Sequence, residues 1–374
     1  MRIVIDAYQA AGHITGTDRY ASSILKTLQR LDRENEYIIL TNPKFSFISE
    51  LITAPNFSVR PLAVRKRALW LLVRLPWQLK VWRADVFFSF HNLSGPGVRT
   101  CPVVMSILDT IPLTEPQFYF DRDSGIRRLV VLLTMRRACR AADRAVAISE
   151  FTRQSAIAAT DLKPEQITTL HLQADERFFE PLTRTTIESA RGKYRLPEHF
   201  ILTIGASEPR KNVATLVKAH RELPEQLRQR FPLLIAGKKW HGRDVELADD
   251  PHVRLLGFVD DEDLPALYHA ADLFVFPSRY EGFGMPVLEA MSSGTPVVTT
   301  TATSIPEVAG DAAVLVDPDD IQGFTESMRR LLADAAERER LIAAGRRQVA
   351  TFSWETSTRR LLAIIRETAN RPRS

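Results

Sequence analysis

Short runs of consecutive apolar residues recur along the chain. Between them lie stretches whose apolar residues return every three or four positions. In the first half the continuous runs are RIVIDA (2–7), YIIL (37–40), FSVRPL (57–62), DVFFSF (85–90), PVVMSIL (102–108) and RAVAIS (144–149). Helical spacing lies around 19–32, 67–82 and 125–142. The second half repeats the scheme, with runs at 200–206, 232–237, 253–258, 273–278, 296–300 and 313–317. Its helical patterns fall near 212–223, 262–271, 286–293, 320–333 and 336–349. A run that is apolar at successive positions is a strand buried on both faces, as in a parallel sheet covered by helices. The pattern predicts two doubly wound, Rossmann-like α/β domains, at 1–180 and 181–352. The polar stretch FFEPLTRTT (178–186) is expected to link them, and 353–374 to add an amphipathic helix. Ligands of such sheets bind outside the carboxyl ends of the strands.

Composition narrows the class. The 374 residues are 45% hydrophobic and 25% charged, as in an ordinary globular protein. The formal net charge is +5. That mild excess suits phosphate-rich ligands, an anionic membrane surface or nucleic acid, without choosing among them. Cys101 and Cys139 are the only cysteines, which fits a reducing compartment rather than a disulfide framework. No apolar run approaches the roughly 20 residues of a membrane span. A cytoplasmic protein is expected, with at most a peripheral contact at the inner face of a membrane.

The candidate chemistry lies in RYEGFGMPVLEA (279–290). Glu281 falls in a loop after the predicted strand LFVFPS. Gly282 and Gly284 permit close backbone approach or positive φ. Pro286 suits the first turn of a helix, which would place Glu289 in that first turn also. Exposed amides at a helix N-terminus on the sheet's carboxyl edge favour phosphate. A carboxylate beside a helix N-terminus has a plainer explanation in the helix dipole, and for Glu289 alone the two weigh equally. A second loop, in ILTIGASEPRKN (201–212), carries Arg210 and Lys211 beside a helix start, which suits a diphosphate. A solvated basic turn is the common alternative.

These residues resemble glycosyltransferase family 4. The resemblance rests on EGFGMPVLEAMSSGTPVV with its flanks ALYHAADLFVFPS and SIPEVAGDAAVLVDP, on the Glu-x7-Glu pattern of Glu281 and Glu289, and on GASEPRKN. RAVAISEFTRQS (144–155) and FSWETSTRRLL (352–362) extend it. It implies the GT-B fold, two Rossmann-like domains facing across a cleft, with the last helix crossing back to the first domain. It implies a retaining hexosyltransferase that uses a nucleotide sugar and needs no metal or cofactor. Glu281 would face the transferred sugar, and Gly282, Phe283, Gly284, Met285 and Pro286 would contact that sugar and the diphosphate. Glu289 would hold the ribose, and Lys211 with Arg210 would stabilise the leaving diphosphate. Phe258 and Val259 would lie near the base, and Gly16 would let a first-domain loop approach the phosphates.

Two positions depart from the family pattern. Many relatives carry a histidine where Leu108 stands, before Asp109, an acceptor-side candidate. Some carry an arginine where Ala206 stands. Retention would proceed by front-side attack, with the leaving phosphate taking the acceptor's proton. GDP-mannose is the first donor expectation, with dTDP-rhamnose, UDP-glucose and UDP-GlcNAc open. The acceptor would be a glycan or lipid-linked glycan in surface polysaccharide synthesis. The alternative, prompted by Leu108, is a catalytically weak nucleotide-sugar-binding scaffold in a glycan assembly complex.

Other features are weaker. The basic, aromatic stretch 64–85 with Trp70, Trp77 and Trp82 reads first as a helix packed on the sheet, and second as an interfacial patch meeting a lipid-linked acceptor. The arginines between 127 and 144 read similarly. No recognised nucleic-acid module is visible. His91, His171 and His241 lack metal-ligand spacing.

Overall fold

The computed structural model describes residues 1–8, 16–44, 47–63, 70–92, 100–120, 125–205, 208–237 and 250–371. The chain divides into two compact units, Met1–Leu172 with Ser353–Ser374, and Gln173–Phe352. The first division thus falls ahead of the expected residue 180.

The strands of the first unit are Arg2–Asp6 (β1), Glu36–Thr41 (β2), Phe57–Pro61 (β3), Val86–Ser89 (β4), Val103–Ile107 (β5), Arg144–Ala147 (β6) and Ile167–Thr169 (β7). They form a 7-stranded sheet of order β3-β2-β1-β4-β5-β6-β7. Every pairing is parallel. Ile3, Val4 and Ile5 on β1 are wholly buried, as a strand covered on both faces requires. The helix Gly16–Leu31 turns Tyr20, Ile24, Leu25 and Leu28 inward. The last helix, Trp354–Ala369, packs on that helix and against β4, β5 and β6. Its Ser357 Oγ donates to the His171 carbonyl at 2.7 Å.

The second unit holds Ile201–Ile204 (β8), Leu233–Ala236 (β9), Val253–Gly257 (β10), Leu273–Phe276 (β11), Val297–Thr300 (β12) and Ala313–Val316 (β13). These make a 6-stranded sheet of order β10-β9-β8-β11-β12-β13, again parallel throughout. Helices Val213–Arg221 and Ile321–Ala333 share one core with it, through Leu216, Val217, Phe324 and Met328 against Ile201, Leu233 and Val275. The two doubly wound sheets are those the apolar runs predict.

The differences are local. β7 is three residues long and too short for the pattern to reveal. Helix Glu150–Ala159 is capped by Ser149, which accepts from Thr152 N at 3.0 Å. The expected linker contains the start of a helix, Arg184–Tyr194, capped by Thr183 accepting from Thr186 N at 3.1 Å. The expected helix at 67–82 is a π-helical stretch, Trp70–Arg74, running into the α-helix Leu75–Val81.

Leu361 on the last helix is fully buried. Leu361→Ala should destabilise the first unit by about 2–5 kcal/mol through the cavity it leaves. Calorimetry should show the first unit's transition moved down and the second unit's unchanged. A shift confined to the second unit would contradict this placement of the helix.

Candidate active site

The strand order of the second unit reverses between β8 and β11. From β8 the chain passes to β9, and from β11 to β12, on opposite sides. The loops at the two carboxyl ends therefore diverge, which is where open α/β sheets leave a crevice for a ligand. Lys211 belongs to the loop after β8 and Glu281 to the loop after β11.

The two side chains meet at this point. Lys211 Nζ donates to Glu281 Oε1 at 2.7 Å, and Arg210 Nη1 lies 2.9 Å from Oε2. Ser278 Oγ donates to Oε1 at 2.7 Å. Glu281 is only 7% exposed. Burial alone would raise its pKa, but the charges of Lys211 and Arg210, with the hydrogen bonds from Lys211 and Ser278, hold it down at about 2. Burial also works against the charged form of Arg210, and Glu281 and Glu208 more than offset this, so its pKa rises. Lys211 Nζ also stands 4.7 Å from the centre of the Phe276 ring, a cation–π contact.

Main-chain bonds tie the same loops together. Arg279 N donates to the Arg210 carbonyl at 2.7 Å, and Arg210 Nη1 to the Tyr280 carbonyl at 3.0 Å. Gly205 follows β8 at φ +107, and a Cβ there would come within 2.8 Å of Lys211 Cγ. The lysine stem thus packs over a glycine. Gly284 caps helix Met285–Ser292 at φ +105, where a Cβ would fall 2.7 Å from Ile305 Cδ1. Pro286 sits in that helix's first turn, as expected.

The likeness to known proteins extends over the chain. The family description "Glycosyltransferase Family 4" matches residues 14–175, and "Glycosyl transferases group 1" matches residues 186–348. An Escherichia coli protein named O-antigen chain mannosyltransferase B is 32% identical over 96% of this chain and 97% of its own length. The chain belongs to glycosyltransferase family 4. The crystal structure of WaaG, described as a glycosyltransferase involved in lipopolysaccharide biosynthesis, matches with TM-score 0.76 at 18% identity, over 97% of this chain and 99% of that one. Anabaena Alr3699/HepE in complex with UDP-glucose matches with TM-score 0.73 at 18% identity, over 97% and 99%. Both likenesses are of fold, the GT-B arrangement of two Rossmann-like domains.

In this glycosyltransferase the structure brings Arg210, Lys211, Glu281 and the turn 282–286 together at one sheet edge. Phe283 is buried and meets Phe352 edge-to-face at 5.7 Å. Glu289 is 3% exposed and accepts from Tyr268 Oη at 3.0 Å. It lies one position beyond the helix's first turn, because that helix begins at Met285 and not at Pro286. Phe258 follows β10 with 58% of its surface exposed, while Val259 is buried. In the first unit, Gly16 is the first residue of its helix rather than a loop residue, and a Cβ there would meet nothing within 4 Å. Asp109 follows β5, its carbonyl accepting from Asn92 Nδ2 at 2.8 Å and its Oδ1 from Ile111 N at 3.1 Å. Ala206 and His241 lie outside the described residues.

Three site residues escape sequence reasoning. Ser278 supports the Glu281 carboxylate. Thr303 Oγ1 accepts from Glu281 N at 3.1 Å, and Ser304 Oγ donates to the Glu281 carbonyl at 2.9 Å. Thr303 does so at φ +56, an outlier for a β-branched residue. The available signal was the SIPE segment at 304–307, noted for its resemblance but given no role. Asp-x-Asp spacings also occur, at 121–123, 261–263 and 317–319. Asp263 is held by Lys193 at 2.6 Å and by Tyr194 at 2.8 Å, and Asp319 pairs with Arg279.

The cluster makes unequal demands on its members. Glu281→Ala leaves two cations without their buried counter-charge and should cost about 3–5 kcal/mol. Lys211→Met leaves Glu281 paired with Arg210 and should cost about 1–3 kcal/mol. Urea unfolding of the two variants checks the order, and a reversed order would contradict this description. The Glu281 pKa lies below that of an unfolded glutamate, so its stabilisation is complete above about pH 4.5 and lost as the pH falls towards about 2. Glu281→Gln should flatten that acid limb.

Proposed function

We propose that the chain transfers mannose from GDP-mannose, with retention, to a growing glycan or lipid-linked glycan of a bacterial surface polysaccharide. The observation that carries this reading is the Arg210–Glu281–Lys211 cluster at the switch point of the second sheet. A relative that matches 96% of the chain and is named an O-antigen chain mannosyltransferase supports the sugar. A nucleotide sugar as donor is supported by a fold neighbour that holds UDP-glucose.

The donor's diphosphate meets Arg210 and Lys211 in this account. As the sugar–phosphate bond breaks, negative charge grows on the diphosphate, and fixed cations placed beforehand offset it without reorganising. Glu281 holds both cations and orients the sugar beside them. Amides of the turn 282–286 and the start of the Met285 helix add to the phosphate's field. Glu289, positioned by Tyr268, takes the ribose hydroxyls, and the outward Phe258 ring stacks on the base. The chain's own groups need supply no nucleophile: the acceptor oxygen attacks the face the diphosphate leaves, and a phosphate oxygen takes its proton.

Charge balance adds a condition. Arg210 and Lys211 face Glu281 and Glu208, so the cluster carries no net charge. Glu208 is the more exposed carboxylate, with 49% of its side chain open and 2.6 Å from Arg210 Nη2. A diphosphate therefore displaces Glu208 rather than Glu281. Glu208→Gln should tighten GDP binding about two- to fivefold, in line with the roughly 0.5–1 kcal/mol that a competing, half-exposed charge is worth. Unchanged or weaker binding would remove Glu208 from this role.

The function itself is tested by incubating the protein with each nucleotide sugar and a mannose-bearing acceptor, and following product by mass spectrometry. Hexose transfer from GDP-mannose with retained anomeric configuration is expected. Tight donor binding with neither transfer nor donor hydrolysis would favour the scaffold reading instead.

A further inference from the structure

The first unit exposes apolar side chains where a globular surface normally carries polar ones. Helix Gly125–Ala141 reads GIRRLVVLLTMRRACRA and contains no acidic residue. Ile126 is 84% exposed, Leu129 58%, Val130 52% and Leu133 59%. Their spacing is i, i+3, i+4, i+7, so they form one continuous stripe. The helix buries other residues, Met135, Ala138 and Cys139, the last two in one core with Met105, Ile107 and Ala145. The stripe therefore faces solvent while the helix is anchored by its second half.

The segment Trp70–Val81 repeats this arrangement. Trp70, Leu71, Leu75 and Leu79 pack inward with Phe87 and Val103. Val73, Trp77 and Val81, four residues apart, stand 59%, 64% and 56% exposed. Val103, Met105 and Ile107 alternate along β5 and so point to one face of the sheet. Val103 receives the first helical segment and Met105 with Ile107 the second. Both segments thus cover the same face of this sheet, and both turn an apolar stripe away from it.

The charges identify what would cover these stripes. Arg74 and Lys80 flank one, and Arg127, Arg128 and Arg136 flank the other, all exposed. Neither segment carries an aspartate or glutamate. A second copy of this face would bring cation against cation. An anionic bilayer satisfies both features at once: apolar side chains and the Trp77 ring enter the boundary between headgroups and acyl chains, and guanidinium groups pair with lipid phosphates. No described helix is long and apolar enough to cross a membrane, so the contact is shallow.

We propose that this face of the first unit docks on an anionic lipid bilayer through the Ile126–Leu133 and Val73–Val81 stripes. The proposal does not depend on the donor assignment, whose residues lie in the second unit.

Co-sedimentation of the full chain with unilamellar vesicles tests it, using phosphatidylcholine alone and phosphatidylcholine containing phosphatidylglycerol. Binding should be about tenfold or more stronger to the anionic vesicles and should weaken with salt. L129Q/L133Q alters two side chains already more than half exposed, so it should keep the wild-type circular dichroism and GDP affinity while losing vesicle binding. R127Q/R128Q/R136Q should lose the preference for anionic lipid. Equal binding to both vesicle types, no binding to either, or full binding by L129Q/L133Q would each overturn the proposal. A dimer abolished by L129Q/L133Q, without vesicle binding, would assign the face to a second copy and overturn the lipid reading. Loss of GDP binding alone would count against the donor site and leave this surface standing.

Discussion

A buried carboxylate stays ionised only where fixed charges or hydrogen-bond donors compensate its lost hydration, and for Glu281 that requirement joins two loops. Glu281 comes from the loop after β11 and its cations from the loop after β8, two neighbouring strands of the sheet, so that Lys211 and Glu281 meet from 70 positions apart in sequence. The ion pair closes at the point where the sheet's winding reverses. The Arg279 amide and the hydroxyls of Thr303 and Ser304, bonded to the main chain of Arg210 and Glu281, then hold the surrounding turns, and Gly284 gives the chain its left-handed entry into the Met285 helix. Loss of the central carboxylate would release the side chains of Lys211, Arg210 and Ser278 together, while the main-chain bonds around it stay in place.

The same cluster holds its cations without a standing excess of charge. Two cations are balanced by two carboxylates of different depth. Glu281 is buried and accepts four contacts through its carboxylate and backbone, whereas Glu208 lies at the rim. Under the proposed function an incoming diphosphate would compete with the rim carboxylate, whose loss to solvent costs little. The buried one holds Arg210 and Lys211 in place, so in the proposed reaction the groups facing the growing negative charge would be positioned in advance.

Much of the fold was legible because its strands are buried on both faces. Such strands spell continuous apolar runs, and RIVIDA, DVFFSF and LFVFPS each proved to be a strand near its predicted limits. Shorter or more polar elements were hidden: β7 has too few residues to show a period, and the helices beginning at Glu150 and Arg184 rest on Ser149 and Thr183 caps set among polar neighbours. In the site, Arg210, Lys211, Glu281 and the glycine turn were legible as charged or flexible residues at strand ends. Their mutual pairing was not, since it depends on strand order. Ser278, Thr303 and Ser304 were missed for a related reason: their chemistry is ordinary until the fold sets them around Glu281. The exposed stripe from Ile126 to Leu133 was equally invisible, because a sequence does not say which side of an apolar helix faces the sheet.

The central claim is that Arg210 and Lys211, held by Glu281, receive the diphosphate of the donor. Calorimetric titration of wild-type protein and Lys211→Met with GDP and with guanosine measures this most directly. The account predicts that wild type prefers GDP strongly and that Lys211→Met loses most of that preference while its weaker affinity for guanosine is unchanged. An equal GDP preference in the two proteins would contradict it.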